Sequence, residues 1–378
     1  MPPSDQSPPA DIDEPRTEPE GEGEGEGESA SDIDHVGGQS AEAEEQLDDG
    51  SGTTAVRADG SARGRRRTWP RRIAVFAAVL LLGVTAFSAC FDLATNQRAS
   101  VPAGLTYVQT GDISTRYRQW GTTGTPIVLV HGFIESADTW QGPAPMLAAA
   151  GHRVYALDLD GWGYTQRVAP FDLGHQSTQL LGFIAALHLD RPILVGHSSG
   201  AAIVAAATLR SPSSAGGIMF LDGDGLATGA GQKTLLTKLF IEPYRTTLLR
   251  LVLHTDAVIR AVYSNMCGPT CPRLDSAGLA QWRRPLQVPG AESSLWAMLN
   301  LGVPGLPPQQ LAALASLPVP KSVVFGADDS AYTQDTPQQT AARIGAPQPT
   351  VIPAARHLTP VNSPAAVAAA IEALAARA

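Results

Sequence analysis

Residues 193–207 read Ile-Leu-Val-Gly-His-Ser-Ser-Gly-Ala-Ala-Ile-Val-Ala-Ala-Ala. An aliphatic triplet, a turn bounded by glycines and a run of small helix formers follow one another without a spacer. That order predicts a buried strand at Ile193–Val195, a tight turn at Gly196–Gly200 and a helix beginning at Ala201. So sharp a turn holds its central residue, Ser198, in strained backbone geometry with little room beside it. Gly196 and Gly200 supply missing side chains where neighbours would clash, and Ala201 is also small. Ser198 then projects its hydroxyl, and the helix N-terminus behind it favours developing negative charge.

The same alternation extends outward. Short apolar runs recur at Ile127–Val130, Val154–Leu157, Ile218–Leu221, Val323–Phe325 and Val351–Ile352. Ala/Leu-rich helical stretches lie at 143–150, 175–188, 200–209 and 364–377. Continuous apolar runs suit strands buried on both faces. Their alternation with helices predicts an α/β fold with a parallel sheet covered on both sides. Between 226 and 317 the pattern turns helical (Leu235–Ile241, Leu248–Val262, Leu279–Trp282, Leu295–Leu299) with Pro and Gly interruptions. Residues 226–317 read as a helical lid inserted at the C-terminal edge of the sheet, with a decorative helical layer as the alternative. The core is then 92–225 and 318–378.

A serine hydroxyl is a poor nucleophile until a base removes its proton. A base with a pKa near neutrality is a histidine. Of the eight histidines (35, 131, 152, 175, 188, 197, 254 and 357), His357 follows the last short strand, where a loop returns to the top edge of the sheet. His131 and His197 sit inside turn motifs and are read as local. A carboxylate is needed to orient the imidazole. Gly326-Ala-Asp-Asp329 offers Asp328 and Asp329, with Asp329 preferred. Asp222 and Asp224, after Ile218–Leu221, are a second origin. Two backbone N–H groups must hold an oxyanion. Ser199, after the serine, supplies one, and Phe133 in His131-Gly-Phe133 the other.

Taken in order, Tyr117-Arg-Gln-Trp-Gly121, His131-Gly-Phe133, Asp158-Leu-Asp-Gly-Trp-Gly163, Gly196-His-Ser-Ser-Gly200, Gly326-Ala-Asp-Asp329 and His357 resemble the α/β-hydrolase superfamily, in its lidded esterase and epoxide-hydrolase-like form. The resemblance covers 104–378 outside the lid. It implies a mostly parallel eight-stranded sheet with helices on both faces, and a serine hydrolase working on a carboxylic ester or related acyl bond without a metal or organic cofactor. It also supports Asp329 over Asp328, because the family's carboxylate commonly falls three residues after the strand-end glycine. Two positions depart: Asp160 stands where Pro is frequent, and Ala201 where Gly is. Serine at 198 argues against the branches that place Asp there, so Tyr244 and Tyr263 need no epoxide role. The same triad could serve an acyltransferase, a perhydrolase or a carbon–carbon bond hydrolase, and the fold could serve a silent binding protein.

The N-terminal quarter differs in kind. Residues 1–60 hold 18 acidic side chains against 2 Arg, 61–72 hold six Arg and no acid, and 73–378 hold 19 basic against 18 acidic. Residues 1–62 have too little apolar surface to offset the entropy of ordering and read as a disordered acidic tail. Residues 63–72 form a basic juxtamembrane segment. Ile73–Phe91 runs 19 residues without a charge, about 28 Å as a helix, close to a bilayer's apolar thickness. It reads as a single transmembrane helix with the N-terminus cytoplasmic and the catalytic domain outside. Phe87-Ser-Ala-Cys90 loosely resembles a lipoprotein processing box, but an uncleaved anchor is preferred.

The near-neutral remainder shows no extended basic face for nucleic acid. Three cysteines (90, 267, 271) are too few for a disulfide scaffold or a four-thiolate zinc site. Cys267-Gly-Pro-Thr-Cys271 reads as a short-loop disulfide, with two free thiols as the alternative. The expected ligand is a small, apolar acyl substrate.

Overall fold

In the stretch Pro126–Val130 all five residues are buried. Ile127 and Leu129 enter one apolar layer, Val128 and Val130 the other. Side chains alternate across a strand, so a run apolar at every position needs cover on both faces. Ile193–His197 and Gly217–Leu221 are buried throughout in the same way.

The computed structural model describes residues 68–96, 98–227 and 241–378, all within one unit, Arg65–Ala378. The acidic tail 1–62, the first half of the basic segment and nearly all of the Leu235–Ile241 pattern lie outside the described residues. The strands are β1 (Thr106–Thr110), β2 (Ile113–Trp120), β3 (Pro126–Val130), β4 (Arg153–Leu157), β5 (Ile193–His197), β6 (Gly217–Leu221), β7 (Lys321–Gly326) and β8 (Thr350–Ile352). They form one eight-stranded sheet in the order β1-β2-β4-β3-β5-β6-β7-β8. β2 pairs antiparallel with β1 and β4; the other pairings are parallel.

The helices are α1 (Thr68–Ala94), α2 (Pro143–Ala149), α3 (Leu173–Ala186), α4 (Gly200–Arg210), α5 (Tyr244–His254), α6 (Asp256–Cys267), α7 (Ser276–Arg283), α8 (Ala291–Leu301), α9 (Pro308–Ala312), α10 (Thr336–Ile344), α11 (Thr359–Asn362) and α12 (Pro364–Ala375). α3, α4 and α10 cover one face of the sheet through Leu180, Phe183, Ile203 and Ile344. α2 and α12 cover the other through Leu147, Val367, Ile371 and Leu374. Each such side chain is worth about 1.5–3 kcal/mol when fully buried. α5 to α9 occupy the insertion between β6 and β7.

Three features depart from the apolar-run reading. β1 and β2 are partly exposed, with polar residues among their apolar ones. They form a hairpin closed at Gly111–Asp112, where Gly111 takes φ +65°. β5 extends two residues further, through Gly196 and His197. The helical pattern Leu248–Val262 is two helices, because Thr255 is extended at φ −105°, ψ 98°. Cys267 and Cys271 are joined as a disulfide at the end of α6.

α1 extends beyond the uncharged run at both ends, and the most apolar 18 residues within Trp69–Ala94 have a mean hydropathy of 2.4. It is long and apolar enough to cross a membrane. Its side chains from Ile73 to Leu82 are exposed, Leu82 by 69%.

The turns above the sheet converge on Asp158. Its Oδ1 accepts from Ala137 N at 2.7 Å and from Arg116 Nη1 at 3.0 Å, and its Oδ2 accepts from Tyr164 N at 2.7 Å. Arg116 also donates to Asp138 at 2.7 Å. Asp158 is fully buried and Arg116 nearly so. Gly163, at φ +54°, passes so close that a Cβ there would lie 2.1 Å from the carboxylate. Asp158→Ala would leave the buried guanidinium with Asp138 alone and the amides of Ala137 and Tyr164 without their acceptor, and the expected loss is about 3–5 kcal/mol in urea unfolding. A loss below about 1 kcal/mol, ordinary for a surface change, would contradict this account of the hub.

Candidate active site

Ser198 has φ +51°, in the left-handed region. A non-glycine residue there costs about 1–3 kcal/mol and persists only where the surroundings fix it. They do so by crowding. A Cβ on Gly196 would lie 2.4 Å from Gly200 O, one on Gly200 would lie 2.6 Å from Val130 O, and one on Gly223 would lie 2.3 Å from Ser198 O. Ser198 N donates to Leu221 O at 2.8 Å, tying the turn to the end of β6. The hydroxyl stands at the N-terminus of α4.

The structure brings Ser198, His357 and Asp329 together. Ser198 Oγ lies 3.0 Å from His357 Nε2, and His357 Nδ1 lies 2.8 Å from Asp329 Oδ2. A carboxylate only accepts, so Nδ1 carries the proton and Nε2 is free to accept from the hydroxyl. Asp329 Oδ1 is held by Ala331 N at 2.9 Å. Asp329 is 7% exposed, whereas Asp328 points to solvent. Asp224 caps Leu226 N instead.

Asp222 lies beneath the site without touching the His357 ring. It accepts from Gly326 N at 2.8 Å and Thr359 Oγ1 at 2.5 Å. It thus joins the strand that leads to Asp329 to the helix after His357. Burial pushes its carboxyl pKa up.

The sequence reading treated His197 as local and did not single out Glu135. In the structure His197 Nδ1 lies 3.0 Å from Glu135 Oε1, and Nε2 lies 2.8 Å from the carbonyl of His357. Both ring nitrogens face acceptors, the pattern of an imidazolium. Burial opposes that charge, but Glu135 and Asp222 outweigh it and raise the pKa well above the usual value. Burial alone would raise Glu135, yet His197 holds it below its ordinary range. A buried ion pair therefore anchors the backbone of His357. His131 has the local role expected: Nε2 accepts from Leu159 N at 3.0 Å and Nδ1 donates to Gly132 O at 2.7 Å.

Neither Phe133 N nor Ser199 N donates to a protein acceptor among the described residues. A Cβ on Gly132 would lie 2.8 Å from that of Ser198, so the Gly132–Phe133 loop approaches the serine as closely as backbone can. Tyr263 is in the cluster around Cys267, and Tyr244 bonds Thr85. Among the described residues no group of three or more His, Cys, Asp or Glu side chains could hold a metal ion.

Comparison with known proteins places these residues in a wider frame. The model for the alpha/beta hydrolase family matches residues 127–370. Epoxide hydrolase A of Mycobacterium tuberculosis is 35% identical over 101 residues, 26% of this chain and 31% of that protein. The 2-hydroxy-6-oxo-2,4-heptadienoate hydrolase of Pseudomonas putida is 38% identical over 110 residues, 28% of this chain and 39% of that protein. The match thus spans less than two fifths of the length of either relative. A thermophilic esterase from Thermogutta terrifontis has the same fold, with a TM-score of 0.57 at 21% identity over 73% of this chain and 99% of that one.

Asp160, the departure in the Asp158–Gly163 loop, has no solvent exposure. Its Oδ1 accepts from Val168 N at 3.0 Å. Its Oδ2 lies 3.1 Å from His175 Nδ1, which is nearer to Pro170 O at 2.6 Å. Burial pushes its pKa up to about 6. The folded chain therefore holds this proton more tightly than the unfolded chain. The stabilisation is full at low pH and lost as the pH rises from 3.8 through about 6. Across that window the wild type is expected to lose stability relative to Asp160→Asn in thermal unfolding. Parallel profiles would contradict the buried-carboxyl account.

Proposed function

The chain belongs to the alpha/beta hydrolase family, and on that premise we propose that it is a serine hydrolase of carboxylic esters or related acyl bonds. What carries the reading is the unbroken relay from Ser198 Oγ through the His357 ring to Asp329, at 3.0 and 2.8 Å. Ser198 Oγ attacks the acyl carbon while His357 Nε2 takes its proton. Asp329 holds the imidazole in the tautomer this requires and stabilises the cation that results. The carbonyl oxygen gains negative charge and is met by the amides of Phe133 and Ser199. Collapse expels the alcohol, which leaves with the proton from His357. Water then attacks the acyl-enzyme with His357 as base, releasing the acid and restoring the serine.

A hydroxyl with a base suits acyl transfer. Opening an epoxide through a covalent ester would call for a carboxylate at 198, where this chain has serine. The helices between β6 and β7 act as the lid over this site. α1 is the membrane anchor, with the catalytic domain on the side away from the N-terminus. That orientation rests on the six Arg between 61 and 72 and the near absence of basic residues just after Phe91. A disulfide at Cys267–Cys271 suits an oxidising compartment.

The test is steady-state hydrolysis of p-nitrophenyl esters. Ser198→Ala and His357→Ala should each lower kcat by about 10⁴-fold or more, and Asp329→Asn by about 10⁴-fold, while Asp328→Asn leaves it unchanged. Turnover undiminished by Ser198→Ala would overturn the reading.

A further inference from the structure

α5 lies along the second half of α1 and runs in the same direction. Tyr244 Oη meets Thr85 Oγ1 at 2.6 Å, Thr247 Oγ1 donates to Asp92 Oδ1 at 2.9 Å, and Arg250 Nη1 donates to Asp92 O at 2.6 Å. Arg250 is also paired with Glu292 at 2.7 Å, and Glu292 with Arg98 at 2.6 Å. The contacts fix α5 at a definite level along α1.

That level has a consequence once α1 spans a membrane. The charge-free stretch between Arg72 and Asp92 is 19 residues, about 28 Å of helix against about 30 Å of hydrocarbon, so none of it can be spared. Thr85 then lies six residues inside the stretch, about 9 Å from its outer end. The start of α5, paired to Thr85, is carried into the same leaflet.

The surface of α5 agrees with such a place. Leu248, Leu251 and Val252 are exposed, and so are Ile241 just before α5 and Val258 and Val262 on α6. Clustered exposed aliphatics of this kind mark a contact surface. The charges near the start of α5 are not free: Arg245 pairs with Glu242 at 2.6 Å, and its guanidinium lies over the Trp296 ring. A paired cation with an indole is tolerated at the lipid boundary.

Between α5 and α6 lies a cavity of about 270 Å³ with an almost wholly apolar wall. Leu249 and Val252 form one side, Val262 and Met266 another, and its inner end reaches Phe133 and Leu358. Phe133 and Leu358 adjoin the proposed oxyanion amide and His357. Val252 both lines the cavity and is exposed, so this wall is continuous with the exposed surface of α5.

We propose that α5 and α6 sit in the outer-leaflet boundary and admit the acyl chain of a bilayer-resident carboxylic ester sideways into this cavity. The substrate class is a lipophilic acyl ester held in the membrane, and the occupant of the exposed face is lipid. This rests on the reading of Ser198 as nucleophile and α1 as anchor.

The test reconstitutes the full chain in phosphatidylcholine vesicles carrying a fluorogenic long-chain acyl ester, with p-nitrophenyl acetate as the water-soluble reference. The variant Leu248→Glu/Leu251→Glu changes two exposed side chains that do not line the cavity. It should hydrolyse the vesicle-borne ester about tenfold more slowly and the soluble ester at the wild-type rate. Equal loss on both esters, or no loss on the vesicle-borne one, overturns the proposal. A wild type that uses the soluble ester and leaves the vesicle-borne one untouched overturns it alone. A wild type inert to both overturns it together with the acyl-ester reading, and one stripped from the vesicles by alkaline carbonate overturns it together with the anchor.

Discussion

Close packing around one left-handed residue shapes the upper edge of this molecule. Ser198 sits at φ +51°, and the three glycines nearest it leave no space for a Cβ. The strain is small beside the burial of β5 and α4, whose residues Ile193 to Val195 and Ala201 to Ala205 are fully buried. Both elements are thereby fixed at their junction, and the hydroxyl cannot turn inward. The rest of the site is arranged around that fixed point by chain segments that arrive from far along the sequence.

Two buried polar groups hold those segments in place. Asp222 accepts from Gly326 N and from Thr359, so the loop bearing Asp329 and the loop bearing His357 share one anchor. The Glu135–His197 pair grips the carbonyl of His357 from below. Removing one member of a buried pair leaves the other charge unpaired, which makes such a pair a strong constraint on geometry even where its net stabilisation is small. The imidazole beside Ser198 is thus positioned through its own backbone as well as through Asp329.

Local patterns were legible in the sequence, and contacts between distant segments were not. The six apolar runs became β3 to β8, and the Ala/Leu stretches became α2, α3, α4 and α12 with ends within two residues. A strand buried on both faces announces itself, because its central positions are apolar one after another. The hairpin of β1 and β2 did not, since its exposed positions carry Thr106, Gln109 and Gln119, and even a buried position holds Arg116. The break at Thr255 was hidden because one helical stripe continues across it. Gly-His-Ser-Ser-Gly identified the turn, and Asp329 was preferred on spacing, which its burial beside His357 matches. Glu135 left no trace, because nothing near it in sequence indicates that it meets His197 62 residues away.

The fold thus brings a carboxylate, an imidazole and a hydroxyl to one edge, with an apolar cavity alongside and a membrane-length helix packed against α5, which forms part of that cavity's wall. The most direct test of the chemistry is covalent capture. A fluorophosphonate reacts only with a serine whose hydroxyl is activated, and the adduct can be placed by mass spectrometry of the digested protein. The account predicts one adduct, on the peptide holding Ser198, lost in Ser198→Ala and greatly slowed in His357→Ala. An adduct on another residue, or equal labelling of the wild type and Ser198→Ala, would contradict it.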